Sequence, residues 1–132
     1  MTPVAVRDLV SFVFRHGDLY PSGEGRSVEA WEGTLAHSAI QKQRGRNDAR
    51  YRKEVSLKLP VELLGERRQL QGRIDGLTQN ASGQTVIEEY KTSRHPRSAL
   101  RGNDEAQAWL YAGMLATLDD SVTTLQTRVI YI

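Results

Sequence analysis

The chain has no cysteine. That absence excludes disulfides, thiolate zinc sites and iron–sulfur clusters held by cysteines. It suits a cytoplasmic protein, and that is the expected setting. Long apolar runs are missing as well, so no segment reads as a membrane span. Residues 1–15 lack a basic stretch followed by an apolar one, so no secretory leader is expected. No repeat and no low-complexity segment is visible. Neither sign of charge dominates: 18 Lys+Arg stand against 16 Asp+Glu, for a net +2 at pH 7. Such a balance permits nucleic-acid binding without demanding it, because local clustering matters more than the total. What is present is the composition of a soluble globular domain, 39% hydrophobic and 26% charged. The length, 132 residues, points to one domain with a buried core.

Hydrophobic periodicity orders the chain. Thr2-Pro3 reads as a helix cap and first turn, with Val6, Leu9, Val10, Val13 and Phe14 at helical spacing and Gly17 as a stop. Residues 18–26 read as loop. Ser27 caps a second helix to about Arg44, with Trp31, Leu35 and Ser38 on one face and Gly33 and His37 on another. Alternation over 52–59 predicts a strand stopped by Pro60. A turn at Gly65, a strand over 68–78, a turn over 80–83 and a strand over 84–92 complete an antiparallel meander. Residues 93–102 read as a basic loop, Asn103 as the cap of a helix to about Leu118, and 124–132 as a last strand. A helix between the third and fourth strands implies an α/β fold with a mixed sheet covered by helices.

The chemistry gathers on the 84–92 strand. Side chains alternate faces, so Ile87, Glu89 and Lys91 share one face and Val86, Glu88 and Tyr90 the other. Glu89 beside Lys91 supplies what metal-assisted phosphodiester hydrolysis needs. A carboxylate holds a hard cation, and an ammonium acts on the attacking water or offsets developing charge. Glu88 points away and is a decoy. The preceding strand carries Asp75 between Gly72 and Gly76, one hairpin from Glu89. Taken alone, an E-x-K pair is most often a solvated surface pair. His37 alone is more often a satisfied histidine than a ligand, and Gln107 with Tyr111 more often a helix face.

Four motifs in order change that weighing. Gly33-x-x-x-His37, Gly72-x-x-Asp75, Glu89-x-Lys91 and Gln107-x-x-x-Tyr111 resemble the RecB-like branch of the PD-(D/E)XK nuclease superfamily. Val6-Arg7-Asp8-Leu9-Val10 with Gly17-Asp18-Leu19 is also similar to RecB-like domains placed ahead of XPD-type helicases. The resemblance implies a restriction-endonuclease-like core, a central mixed sheet of about four strands flanked by helices. It implies Asp75, Glu89 and the backbone carbonyl of Tyr90 as ligands of Mg²⁺ or Mn²⁺, with His37 completing the set and tilting it toward Mn²⁺. Lys91 would act on the nucleophilic water. Gln107 and Tyr111 would steady the site or the DNA backbone, and Glu54 would be an auxiliary acid. The lack of cysteine sets this chain apart from the branch members that carry an iron–sulfur cluster.

Two basic clusters frame the motifs. One is Lys42, Arg44, Arg46, Arg50, Arg52 and Lys53 around Tyr51; the other is Arg94, His95, Arg97 and Arg101. Such clusters contact phosphates without reading sequence. The expectation is therefore a sequence-independent, metal-dependent DNA exonuclease of repair or recombination, working on single strands or ends. The alternative is a non-catalytic DNA-binding module serving a helicase. The chain is expected to be one nuclease domain, 1–132, cut from a larger, helicase-linked protein.

Overall fold

The computed structural model describes residues 2–13, 27–91 and 98–132, and among them lie five strands and three helices. For 27–33 and 98–101 the description is of the backbone alone. In chain order the elements are β1 (Thr2–Ala5), α1 (Val6–Val13), α2 (Ser27–Asn47), β2 (Arg52–Leu63), β3 (Glu66–Gln79), β4 (Thr85–Lys91), α3 (Ser98–Leu118) and β5 (Leu125–Tyr131). The expected helix stop at Gly17, the 18–26 loop, and Arg94, His95 and Arg97 lie outside the described residues.

The sheet is mixed and has five strands, one more than expected. β2, β3 and β4 form the antiparallel meander. β1 runs parallel to β3, and β5 runs parallel to β4. Thr2 and Pro3 are thus strand residues, not a helix cap. Pairing with Arg68 and Gln69 outweighs the local capping signal, and the helix starts only at Val6. Pro60 does not stop β2 either. It lies opposite Gln69 in a strand that, among the described residues, pairs only with β3. A strand with one open side tolerates proline, whose missing N–H can face away from the ladder. Asn103 is not a cap. It lies inside α3, and residues 98–102, expected as loop, are helical.

One face of the sheet carries the apolar core. Val6 and Val10 of α1, Leu57 of β2, Leu70, Ile74 and Leu77 of β3, Ile87 of β4 and Tyr111, Ala112, Met114 and Leu115 of α3 form a single cluster. Ile74 and Ile87 are fully buried. Truncating either to Ala removes atoms that packing cannot replace, at about 2–5 kcal/mol. α2 covers the opposite face and meets it with polar groups. Its expected Leu35 face is exposed, while His37, Gln41 and Arg44 are turned to the strands.

β3 is the spine that positions the site. Its early part, Arg68 to Gln71, pairs with β1, and its late part, Gly76 to Gln79, pairs with β4. Residues 72–75 lie between these partners, where the sheet forks. The alternation of side chains also slips there. Ile74 and Leu77 both enter the same core although three positions separate them. A Cβ on Gly72 would strike the Tyr111 ring, whereas one on Gly76 would meet the hydroxyls of Tyr90 at 2.5 Å and Tyr51 at 2.6 Å. Across the ladder, pairing lapses at Glu54, whose φ is 53°. Both strands therefore re-aim their side chains at the Glu54–Asp75 level, as a local bulge does.

Candidate active site

Asp75 ends the fork and Glu89 faces it. The β3–β4 ladder stops at Gly76 opposite Glu88. One step on, side chains replace the ladder. The Asp75 backbone N–H donates to Glu89 Oε1 at 3.2 Å, and the Tyr90 backbone N–H donates to Asp75 Oδ2 at 2.9 Å. Each carboxylate is thus clasped by the other strand's backbone. From α2, the buried Gln41 donates its amide to the Asp75 carbonyl at 3.1 Å.

The electrostatics follow from that proximity. Glu89 is buried, and burial pushes its carboxyl well above the usual carboxylate range; the neighbouring Asp75 charge adds to the rise. The two carboxyls are also near enough to share a hydrogen bond when one is protonated. Hard oxygen donors on adjoining strands are the donor set that a small divalent cation takes, usually with one or two carboxylates and retained waters.

Lys91 extends from β4 toward α3. Its ammonium donates to Gln107 Oε1 at 2.7 Å and stands 4.0 Å from Asp104. The Gln107 amide in turn donates to the Tyr111 hydroxyl at 3.0 Å. Spacing of four on α3 is what lines Gln107 up with Tyr111. Gly72 leaves the room for the Tyr111 ring. Burial raises the Tyr111 phenol and the Asp104 carboxyl above their ordinary ranges. Tyr131 of β5 donates its hydroxyl to Asp104 at 2.9 Å.

The remaining expected residues fall elsewhere. His37 packs the edge of its ring against Tyr90, with centroids 6.0 Å apart. Among the described residues no three His, Cys, Asp or Glu are grouped to hold a metal, so His37 is not gathered with Asp75 and Glu89. Glu54 is exposed, across from Asp75. Arg50 and Arg52 are exposed near the start of β2, and Arg50 is drawn to Asp48, 3.7 Å away. Arg101 lies in α3, with only its backbone described.

Sequence reasoning missed the other face of β4. Glu88 does point away from Glu89, as parity requires, but into a buried polar cluster and not toward solvent. Arg44 reaches Glu88 at 3.0 Å and Arg128 at 3.8 Å. Tyr90 donates its hydroxyl to Glu88 at 2.8 Å and is held by the Tyr51 hydroxyl at 2.7 Å. Burial pushes the Tyr90 phenol far above its ordinary range, so it stays a donor. Arg44 is therefore engaged by Glu88, with its side chain still 40% exposed. The available signal was the run Val86 to Tyr90. A strand paired on both sides and covered on both faces buries every side chain in turn.

A mixed open sheet flanked by helices, with a clasped carboxylate pair at a fork, is the architecture of a restriction-endonuclease-like protein. The chain belongs to the PD-(D/E)XK nuclease superfamily, whose family model matches residues 15–132. The superfamily is one of nucleases. The crystal structure of SSO0001 is similar, with a TM-score of 0.71 at 18% sequence identity, covering 100% of this chain and 62% of that one. That likeness concerns the fold. The chain spans less than two thirds of the length of that protein. No curated protein matches the sequence. Among the described residues no helix is long and apolar enough to cross a membrane.

Proposed function

We infer that the protein is a metal-dependent, sequence-independent DNA nuclease acting on single strands or ends. The observation that carries this reading is the clasp of Asp75 with Glu89, two residues from a lysine whose ammonium is held by Gln107. Asp75 and Glu89 would hold Mg²⁺ or Mn²⁺, with the Tyr90 carbonyl on the same strand. The ion, once bound, would polarise the scissile phosphate and lower the pKa of a coordinated water. Lys91 orients that water or offsets charge as the phosphorane-like state forms. Gln107 keeps Lys91 from swinging away, and Tyr111 fixes Gln107. His37 is kept as a further, nitrogen ligand of this reading, and it would have to turn from the Tyr90 ring to join Asp75 and Glu89. Arg50, Arg52, Arg94, Arg97 and Arg101 are assigned to phosphate contacts, supported by their charge and, for the last three, by their place directly after the Lys91 strand. Exonuclease action, a RecB-like lineage, a linked helicase domain, a repair role and a cytoplasmic setting belong to this reading.

End-labelled single- and double-stranded DNA tests it, incubated with Mg²⁺, with Mn²⁺ and with chelator. Cleavage is expected with metal only, and is lost in Lys91→Ala and Asp75→Ala. Cleavage that survives either substitution would overturn the site assignment. Tight DNA binding without metal-dependent cleavage would favour a binding module.

A further inference from the structure

The rear face of β4 holds a buried carboxylate that the chemistry above does not use. Glu88 is 1% exposed. A charge taken out of water that completely is expensive unless paired and hydrogen-bonded. Its partners come from three different places: Arg44 on α2, Arg128 on β5 and the hydroxyl of Tyr90 on its own strand. The pairing therefore ties α2 and β5 to the centre of the sheet.

Two routes lead from this cluster to Asp75. The first is Tyr90. Its ring is held on the rear face by Glu88 and Tyr51, while its backbone N–H emerges between Glu89 and Lys91 and donates to Asp75 Oδ2. The second is α2. His37, Gln41 and Arg44 follow one another at spacings of four and three, so they share one helical face. Arg44 grips Glu88, and one turn earlier Gln41 donates to the carbonyl of Asp75. Gly76 provides the space in which the two tyrosine hydroxyls meet.

We propose that Glu88 is a positioning residue for the metal-holding carboxylates, acting through Tyr90 and α2 without touching substrate. The proposal rests on the nuclease reading for its consequence, the orientation of Asp75 toward a divalent cation. Groups that orient a metal ligand typically change affinity 10–100-fold when removed.

The test uses the full chain with Glu88→Gln and Tyr90→Phe. Mn²⁺ binding is measured by calorimetry, and binding of a single-stranded oligonucleotide is measured in chelator. Both variants are expected to bind Mn²⁺ roughly tenfold more weakly while holding the oligonucleotide as before. In an Asp75→Ala background, which has no side-chain oxygen to accept the Tyr90 N–H, adding Tyr90→Phe is expected to change Mn²⁺ binding no further, since its route has been removed. A general loosening of the fold would instead persist in that background. Amide exchange at Tyr90, measured without metal, is expected to speed up in both variants. Should Glu88→Gln fail to fold, Tyr90→Phe, which loses one hydroxyl, carries the test. Wild-type Mn²⁺ affinity in the variants, an equal loss in the Asp75→Ala background, or unchanged Tyr90 exchange would overturn the proposal. If the wild-type chain neither binds Mn²⁺ nor cuts DNA, the nuclease reading falls. In that case the exchange rate alone decides: faster exchange supports the clamp, and unchanged exchange overturns it.

Discussion

Glu88 and Glu89 are neighbours in sequence and equally hidden from water, yet the two faces of β4 treat them in opposite ways. On the rear face, two arginines and a phenol satisfy Glu88. On the front face, Glu89 meets another carboxylate, and burial with that repulsion drives its carboxyl upward. The difference teaches how to read a buried acid. One surrounded by donors and cations is a structural tie, while one pressed against its own kind is a candidate for function.

The sharpest way to break this contrast is through activity. Asp75→Ala and Lys91→Ala are expected to lower metal-dependent DNA cleavage by roughly 10²–10³-fold or more, measured in single-turnover assays. Stability comes next and has opposite signs on the two faces. Glu88→Ala strips the buried Tyr90 hydroxyl of an acceptor and two half-exposed arginines of their partner, and is expected to cost about 1–3 kcal/mol in denaturant melts. Glu89→Gln removes a charge that the fold resists, and in chelator it is expected to raise the melting temperature by a few degrees while abolishing cleavage.

The pH dependence sharpens the same point. Below pH 4.5 Glu89 is protonated whether folded or unfolded and contributes nothing. Between 4.5 and about 9 the unfolded chain releases that proton while the folded one keeps it, so stability in chelator falls as pH rises. Glu89→Gln should flatten this slope. Mn²⁺ affinity should move the other way, rising with pH, because the ion must displace the proton. The smallest expected effect lies far from either face. Leu64 (φ 52°) and Gly65 (φ 77°) form the β2–β3 turn, which favours Asn-Gly. Leu64→Asn is expected to add about 1 kcal/mol and leave cleavage unchanged, which makes it a control for general stabilisation.

Much of the fold could be read from pattern alone. Alternation around Val55 and Leu57, the turn at Gly83 and helical spacing after Asn103 sufficed for the meander, the crossover helix and the mixed sheet. Parity separated Glu88 from Glu89. What escaped depended on partners distant in sequence. β1 exists only because β3 offers an edge at Arg68 to Gln71. Pro60 is tolerated because, among the described residues, no strand pairs on its far side. The kink opposite Glu54 and the seating of Arg44 on Glu88 have no local signature, since each is set by the packing of α2 and β3 against β4. The pairs Glu89–Lys91 and Gln107–Tyr111 were within reach because each is local to one strand or one helix, whereas the contact of Lys91 with Gln107 joins β4 to α3 and has no local signature.

The clasp at the fork has a consequence for ion choice. Glu89 Oε1 and Asp75 Oδ2 each accept a backbone N–H, which fixes how the two carboxyl planes are turned. Under the proposed function, a cation would meet carboxylates already set by the backbone and not free to swing. Mg²⁺ demands near-ideal octahedral geometry, so a fixed pair would suit it better than Ca²⁺, whose shell is larger and more pliant.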